Sequence, residues 1–314
     1  MLNGGLNPSK GRTTEGCALF VLPEDSFLGD ALSERNRDRT RKWLMSIAKL
    51  KDILDILEEI APVSTAEDWD NPGLQVGDYS REVKTIFFSV NPTLEALEEA
   101  SKKRADMLLT HHPLIFRPLF HLDRGSYPGN VIFEAYKRGI SVVSVHTNLD
   151  VAQGGINDML ARLFGLRDVD VLQKGGESRV NGVGLGRIGF LPRPVSLSAM
   201  TKTVKARLGI KAVKVVGNKK SVIKRVALVG GSGGSLVSVA AARGADLLIT
   251  GDVSHHEALS AQDLGLAVID AGHFHTEKAA LWLFAEQFRE RVRELGWRLR
   301  IDRFENEKDP MRYE

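Results

Sequence analysis

Seven of the eight histidines fall in four short segments, and each segment also carries carboxylates. Imidazole and carboxylate together form a ligand set for divalent metal ions. Residues 105–113, Ala-Asp-Met-Leu-Leu-Thr-His-His-Pro, end on the pair His111 and His112. Adjacent strand residues point to opposite faces, so two ligating histidines must lie where a strand ends. Pro113 marks that break, at the strand end where α/β ligands bind. His273 and Glu277 are four residues apart at an expected helix start, which puts both on one face. Such a pair can hold one ion, or the carboxylate can bridge two. His146 and Asp150 have the same spacing but run into Val151-Ala-Gln-Gly-Gly and are expected on a loop. For His146 two readings stand open, a ligand or a capping or core histidine. His255 and His256 open another expected helix at different angles, so at most one reaches a site. His275 is expected to face solvent, and His121 to be structural.

The elements that position these residues occur twice. Residues 245–257, Ala-Asp-Leu-Leu-Ile-Thr-Gly-Asp-Val-Ser-His-His-Glu, echo 105–113. Gly139 leads to His146 and Asp150 as Gly265 leads to His273 and Glu277. Val83 precedes Ala105 by 22 residues, and Ile223 precedes Ala245 by 22. Two copies of one α/β unit follow, too few for a solenoid and suited to two sheets facing each other across a pseudo-two-fold axis. The expected organisation is an N-terminal extension (1–44), a first repeat (45–150), a connecting segment (151–196) and a second repeat with a C-terminal helix and tail (197–314).

Residues 1–44 lack a sustained apolar period and are expected to be disordered, with Met45 as a true start. Ile47, Leu50, Ile53, Leu54, Leu57 and Ile60 then follow the 3.6-residue period of an amphipathic helix. Alternating strands and helices argue for mainly parallel or mixed sheets. The spacing predicts strands over 83–90, 106–110 and 140–145, and over 213–217, 223–229, 246–250 and 266–270. A Gly-rich strand pair is expected near 181–191, a long helix from about 276 to 294, and a polar surface tail after Phe304. The loop Val229-Gly-Gly-Ser-Gly-Gly-Ser235 is either a tight turn or a phosphate cradle. It lacks the lysine of a Walker A loop.

Composition narrows the classes. The chain has 314 residues, 43% apolar and 26% charged, with a net charge of +3. That is a globular balance with no nucleic-acid footprint. The single Cys17 excludes an intrachain disulfide and cysteine-based zinc sites. With no apolar run near the roughly 18 residues of a membrane span, the cytoplasm is the expected location.

Five ordered motifs resemble those of the GTP cyclohydrolase 1 type 2 homologue family, the Nif-three-like group of dinuclear-metal hexamers. They are Thr110-His-His-Pro-Leu-Ile-Phe116, Ser144-Val-His-Thr-Asn-Leu-Asp150, Gly230-Gly-Ser-Gly233, Thr250-Gly-Asp-Val-Ser-His-His256 and Gly272-His-Phe-His-Thr-Glu277. The resemblance covers about 46–310. It implies two intertwined α/β halves with a metal site at their seam, and a homohexamer. It also implies two divalent ions per chain, held by His111, His112, Asp150, His273 and Glu277. Asn91 stands where many relatives have Asp and is not expected to ligate.

The leading expectation is a metal-dependent hydrolase of the GTP cyclohydrolase type, acting on a nucleotide. His146 or His256 would carry protons, since histidine titrates near neutrality. The sulfur-free ligand set suits Zn, Mn, Fe, Co or Ni. A non-catalytic metal-binding hexameric assembly and a dinuclear phosphoesterase are the alternatives.

Overall fold

The computed structural model describes residues 47–174 and 182–312. The expectations for residues 1–44 and for Met45 as a start fall outside them. The first helix, α1 (Leu50–Ile60), buries Leu50, Ile53, Ile56 and Leu57. It starts later than the apolar period suggests. The Val83 N–H bonds the Ala48 carbonyl and the Leu50 N–H bonds the Arg81 carbonyl, each at 2.8 Å. Those pairings hold 48–50 in a β-like ladder, which leaves Ile47 48% exposed.

Among the described residues the strands form two mixed sheets. The first joins β1 (Gly73–Val76), β2 (Thr85–Ser89), β3 (Met107–Thr110), β4 (Ser141–Ser144) and β11 (Arg300–Arg303) in the order β1-β4-β3-β2-β11. Only β1 runs antiparallel. The second joins β5 (Arg167–Lys174), β6 (Gly184–Ser196), β7 (Lys214–Val216), β8 (Val222–Ser232), β9 (Leu247–Gly251) and β10 (Ala267–Asp270) in the order β5-β6-β8-β9-β10-β7. Its centre, β8-β9-β10, is parallel, and β5, β6 and β7 pair antiparallel. Of the Gly-rich strand pair expected near 181–191, only β6 falls in that range; its antiparallel partners, β5 and β8, lie outside it. β11 comes from the chain's C-terminal end yet completes the first sheet, so the halves are intertwined.

Strand alternation sorts the core into layers. Ile86, Phe88, Leu109 and Val143 share one apolar cluster with Leu228, Ile249 and Ile269 of the other sheet. Between them lie α1, α5 (Ile156–Phe164), α6 (Leu197–Leu208) and the long α9 (His273–Glu294). The opposite faces carry Phe87, Leu108 and Val142 against α2 (Leu94–Lys102) and α3 (Gly129–Arg138). Ala227, Leu248 and Val268 face α7 (Val237–Ala242) and α8 (His255–Asp263). None of the described helices is long and apolar enough to cross a membrane.

The duplication is visible in hydrogen bonds. Asp106 Oδ2 accepts from the N–H groups of Lys84 and Thr85, and Asp246 Oδ2 accepts from those of Lys224 and Arg225. Leu50 bonds Arg81 as Leu197 bonds Ser221. Each copy thus ties its helix and its central strands with the same contacts.

Candidate metal centre

Four elements bring the cluster together. β3 ends at Thr110, and the next two residues turn inward. Thr110 Oγ1 donates to the His112 carbonyl at 2.7 Å, and Ser144 Oγ donates to the His111 carbonyl at 2.8 Å. These hydroxyls satisfy backbone acceptors that a strand end would otherwise orphan. After β4 the chain enters α4 (Thr147–Val151), a short helix where a loop was expected. The His146 N–H donates to Asn148 Oδ1 at 2.9 Å, and the Asp150 N–H to the His146 carbonyl at 3.0 Å. That single turn carries Asp150 to the cluster. From the other half, α9 opens with His273 and presents Glu277 one turn later.

Glu277 stands at the centre and is buried. Its Oε1 lies 3.4 Å from His111 Nε2 and 2.9 Å from His273 Nε2. Its Oε2 lies 3.2 Å from His112 Nε2. Asp150 Oδ1 lies 3.6 Å from His111 Nε2, and His112 Nε2 lies 3.3 Å from His273 Nε2.

Each ring's other nitrogen has a partner outside the cluster. His111 Nδ1 meets the Val145 carbonyl at 2.8 Å, His112 Nδ1 meets Asn91 Oδ1 at 2.8 Å, and His273 Nδ1 meets Asp252 Oδ2 at 2.6 Å. His146 Nδ1 meets Asp70 Oδ1 at 2.8 Å. All four partners are acceptors, so each Nδ1 holds a proton, and whenever a ring is neutral its Nε2 keeps the lone pair. Acceptors then face acceptors, and His111 Nε2, Asp150 Oδ1 and Glu277 Oε2 are enclosed with no hydrogen-bond partner. Buried polar atoms without partners are costly, and cations relieve the cost. Among the described residues, two groups of three have ligand atoms close enough to hold an ion, His112–His273–Glu277 and His111–His112–His146. The donor set therefore fits a divalent metal.

The same crowding shifts proton affinities. Burial of the His111 ring opposes its charged form, yet the Glu277 and Asp150 carboxylates push it up to about 9. His273 behaves likewise, with burial outweighed by Glu277 and Asp252, and also reaches about 9. Burial raises Asp150 to about 6, against the pull of His111. Burial also opposes charge on Glu277, but the three histidines around it hold it well below the usual carboxylate range.

Residues 48–310 match the family model described as Duf34/NIF3 (NGG1p interacting factor 3). The chain belongs to this family. Among NIF3-family relatives, a Clostridium perfringens protein named GTP cyclohydrolase 1 type 2 homolog is 36% identical, covering 78% of this chain and 92% of its own length. A Helicobacter pylori protein named GTP cyclohydrolase 1 type 2 is 33% identical over 76% of this chain and 91% of its own. The crystal structure of a Staphylococcus aureus hypothetical protein superposes with a TM-score of 0.81 at 28% identity. It covers 85% of this chain and all of its own.

In this NIF3-family chain the five residues expected to ligate converge. His146 joins them, its ring centroid 5.2 Å from that of His111 and 5.3 Å from that of His112. His256 does not. It is exposed on α8, and its ring contact is with His255. Asp70 and Asp252 were not singled out from the sequence. Asp252 had a signal, because it lies two residues past Thr250 as His112 lies two past Thr110. Asp70 had none, since its role arises from a contact across 76 residues.

The Gly-rich loop is spoken for. The Gly230 N–H donates to Asn157 Oδ1, that of Gly231 to Thr276 Oγ1, and that of Gly233 to the Gly251 carbonyl. Those three N–H groups are not free to cradle a phosphate. The loop instead forms the floor beneath Glu277. The tail after Phe304, expected on the surface, sends Glu307 inward. Its carboxylate accepts from the N–H groups of Val90 at 2.8 Å and Asn91 at 2.9 Å.

Proposed function

We propose that this protein is a metal-dependent hydrolase that holds two divalent ions and acts on a nucleotide. The observation that carries it is the sharing of Glu277 between two sets of ring nitrogens. His111 and Asp150 would hold one ion, His112 and His273 the other, with Glu277 common to both. Such ions supply Lewis acidity and charge neutralisation at the reacting centre. The names of the relatives, GTP cyclohydrolase 1 type 2 and its homologs, favour a nucleotide substrate.

The chain's own proton carrier in this reading is His146. Burial alone would raise Asp70, but its hydrogen bonds from His146 and Thr147 lower it to about 2. Asp70 therefore stays charged at neutral pH and holds the ring with Nε2 as the exchanging atom. A carboxylate behind an imidazole orients it and stabilises its protonated form. The same reading includes a homohexamer in the cytoplasm and no nucleic-acid partner.

The test is an assay of metal-loaded protein with GTP, following ring opening, formate and phosphate separately. Ring opening with formate release supports the proposal. Phosphate alone supports a phosphoesterase, and no turnover of any nucleotide favours the assembly role. Metal analysis after purification without added metal identifies the ions.

A further inference from the structure

Two large aromatic side chains stand in solvent beside the cluster. Trp69 is 56% exposed and Phe116 46% exposed. Their ring centroids lie 5.6 Å apart at 51°. Trp69 also meets the His146 ring, at 5.9 Å and 73°. Rings thus run without a break from Phe116 through Trp69 to His146, and from there to His111 and His112.

The wall is built rather than incidental. Asn71 Nδ2 donates to the Ile115 carbonyl at 2.7 Å, and the Ile115 N–H donates to Gln75 Oε1 at 3.0 Å. These bonds pin the loop carrying Trp69 to the loop carrying Phe116. Asp70, next to Trp69, is fixed on the other side by His146 and by the Thr147 N–H. The fold spends hydrogen bonds to hold two apolar rings in place without burying them. Arg117 follows Phe116, is exposed, and makes no hydrogen bond or ion pair among the described residues.

We propose that Trp69 and Phe116 form a stacking wall for the nucleobase of a nucleotide, holding the base against the histidine cluster. This rests on the nucleotide reading above and names how the substrate is held. An aromatic face accepts any planar base, because every base presents a π-face. The wall therefore selects a heteroaromatic ring, and Arg117 offers charge to the anionic part of the same ligand. Neither aromatic side chain belongs to the set that would hold metal, so binding and metal content are separable.

Titration calorimetry tests the wall, with guanosine monophosphate and inorganic triphosphate as probes on the metal-loaded full chain. Trp69→Ala should weaken guanosine monophosphate binding about tenfold or more, the scale of one lost base–aromatic stack. Trp69→Phe should keep most of the affinity, and Phe116→Ala should show a loss smaller than Trp69→Ala. Triphosphate affinity should stay within about twofold, since it has no ring to stack, and metal content should be unchanged. Unchanged nucleotide affinity in Trp69→Ala would overturn the proposal, as would equal losses for both probes. If the wild type holds metal but binds no guanosine monophosphate, the wall falls while the metal site stands. A wild type that binds the nucleotide but holds no metal reverses that result.

Discussion

Gly231 and Glu277 compete for the same space: a Cβ on Gly231 would overlap Glu277 Oε1. Gly231 also has φ +66°, in the left-handed region that an alanine adopts at a cost. Gly231→Ala should therefore push the Glu277 carboxylate out of the cluster. Gly209→Ala is the control, because Gly209 has φ +68° but open space around its missing Cβ. Both variants should lose roughly 1–2 kcal/mol of stability from the backbone alone. Only Gly231→Ala should also lose metal on elemental analysis. Equal metal content in the two variants would show that the glycine is needed for the turn and not for the carboxylate.

Glu277 should matter more than any one histidine. It is the residue within 3.4 Å of His111, His112 and His273 alike. Removing its charge takes the common counter-charge from both ions, whereas water can fill the position vacated by a terminal histidine. Glu277→Gln should retain almost no metal, and His112→Ala about half the wild-type content. Bound metal stabilises the folded state by mass action, so Glu277→Gln should also melt at the lower temperature when both are prepared with metal. Full metal content in Glu277→Gln would remove the shared role.

Much of this arrangement was legible, for reasons that can be named. His111 and His112 declare a strand end because Pro113 follows and because a strand cannot aim neighbours at one point. His273 and Glu277 declare a helix face through their spacing. The strands and helices were legible because alternating and 3.6-residue apolar periods survive burial on both faces, although α1 lost its first turn to backbone pairing with 81–83. Residues that act through distant contacts were not legible. Asp70 reads as turn chemistry beside Pro72, and nothing local says that it holds His146. Glu307 lies in a polar tail, and polar composition describes the tail's average, not the one carboxylate that enters the core. The glycines after Asp150 suggest a loop, but the Asn148 side chain starts a helical turn that closes at Ala152, before those glycines.

Protons should leave the cluster when metal enters. His111 and His273 are raised to about 9 in the metal-free protein, so both rings hold a second proton at pH 7.5. Metal ligation requires neutral imidazole. Loading metal at pH 7.5 should release about two protons per chain, seen as a dependence of calorimetric heat on buffer ionisation enthalpy. Apparent metal affinity should rise with pH up to about 9 and then level. The sign for stability follows from the same shifts. A histidine raised in the folded state contributes stability that is complete below its unfolded value near 6.5 and is lost as pH rises through the folded value. Metal-free protein should therefore melt at a lower temperature at pH 9 than at pH 6.5, with the difference reduced when metal is present. A melting temperature flat across that window would contradict the raised values.

The C-terminal tail should tune the metal site from behind. Glu307 is buried and binds the backbone N–H groups of Val90 and Asn91. Asn91 in turn accepts from His112 Nδ1. Lys278, the residue after Glu277, holds this tail by donating to the carbonyls of Glu305 at 3.0 Å and Glu307 at 2.7 Å. The tail is thus fastened beside one metal-facing residue and supports another through a single side chain. Removing a partner that orients a ligating histidine costs roughly 10- to 100-fold in metal affinity. Glu307→Ala should therefore weaken the ion held through His112 and His273 by about that factor, with little change at the ion held through His111 and Asp150. Competition with a chelator of graded strength resolves the two classes of site. Glu307→Gln keeps an acceptor for one N–H group and should fall between wild type and alanine. If Glu307→Ala weakens both ions equally, the tail acts on the fold as a whole, and the path through Asn91 to His112 is not what carries its effect.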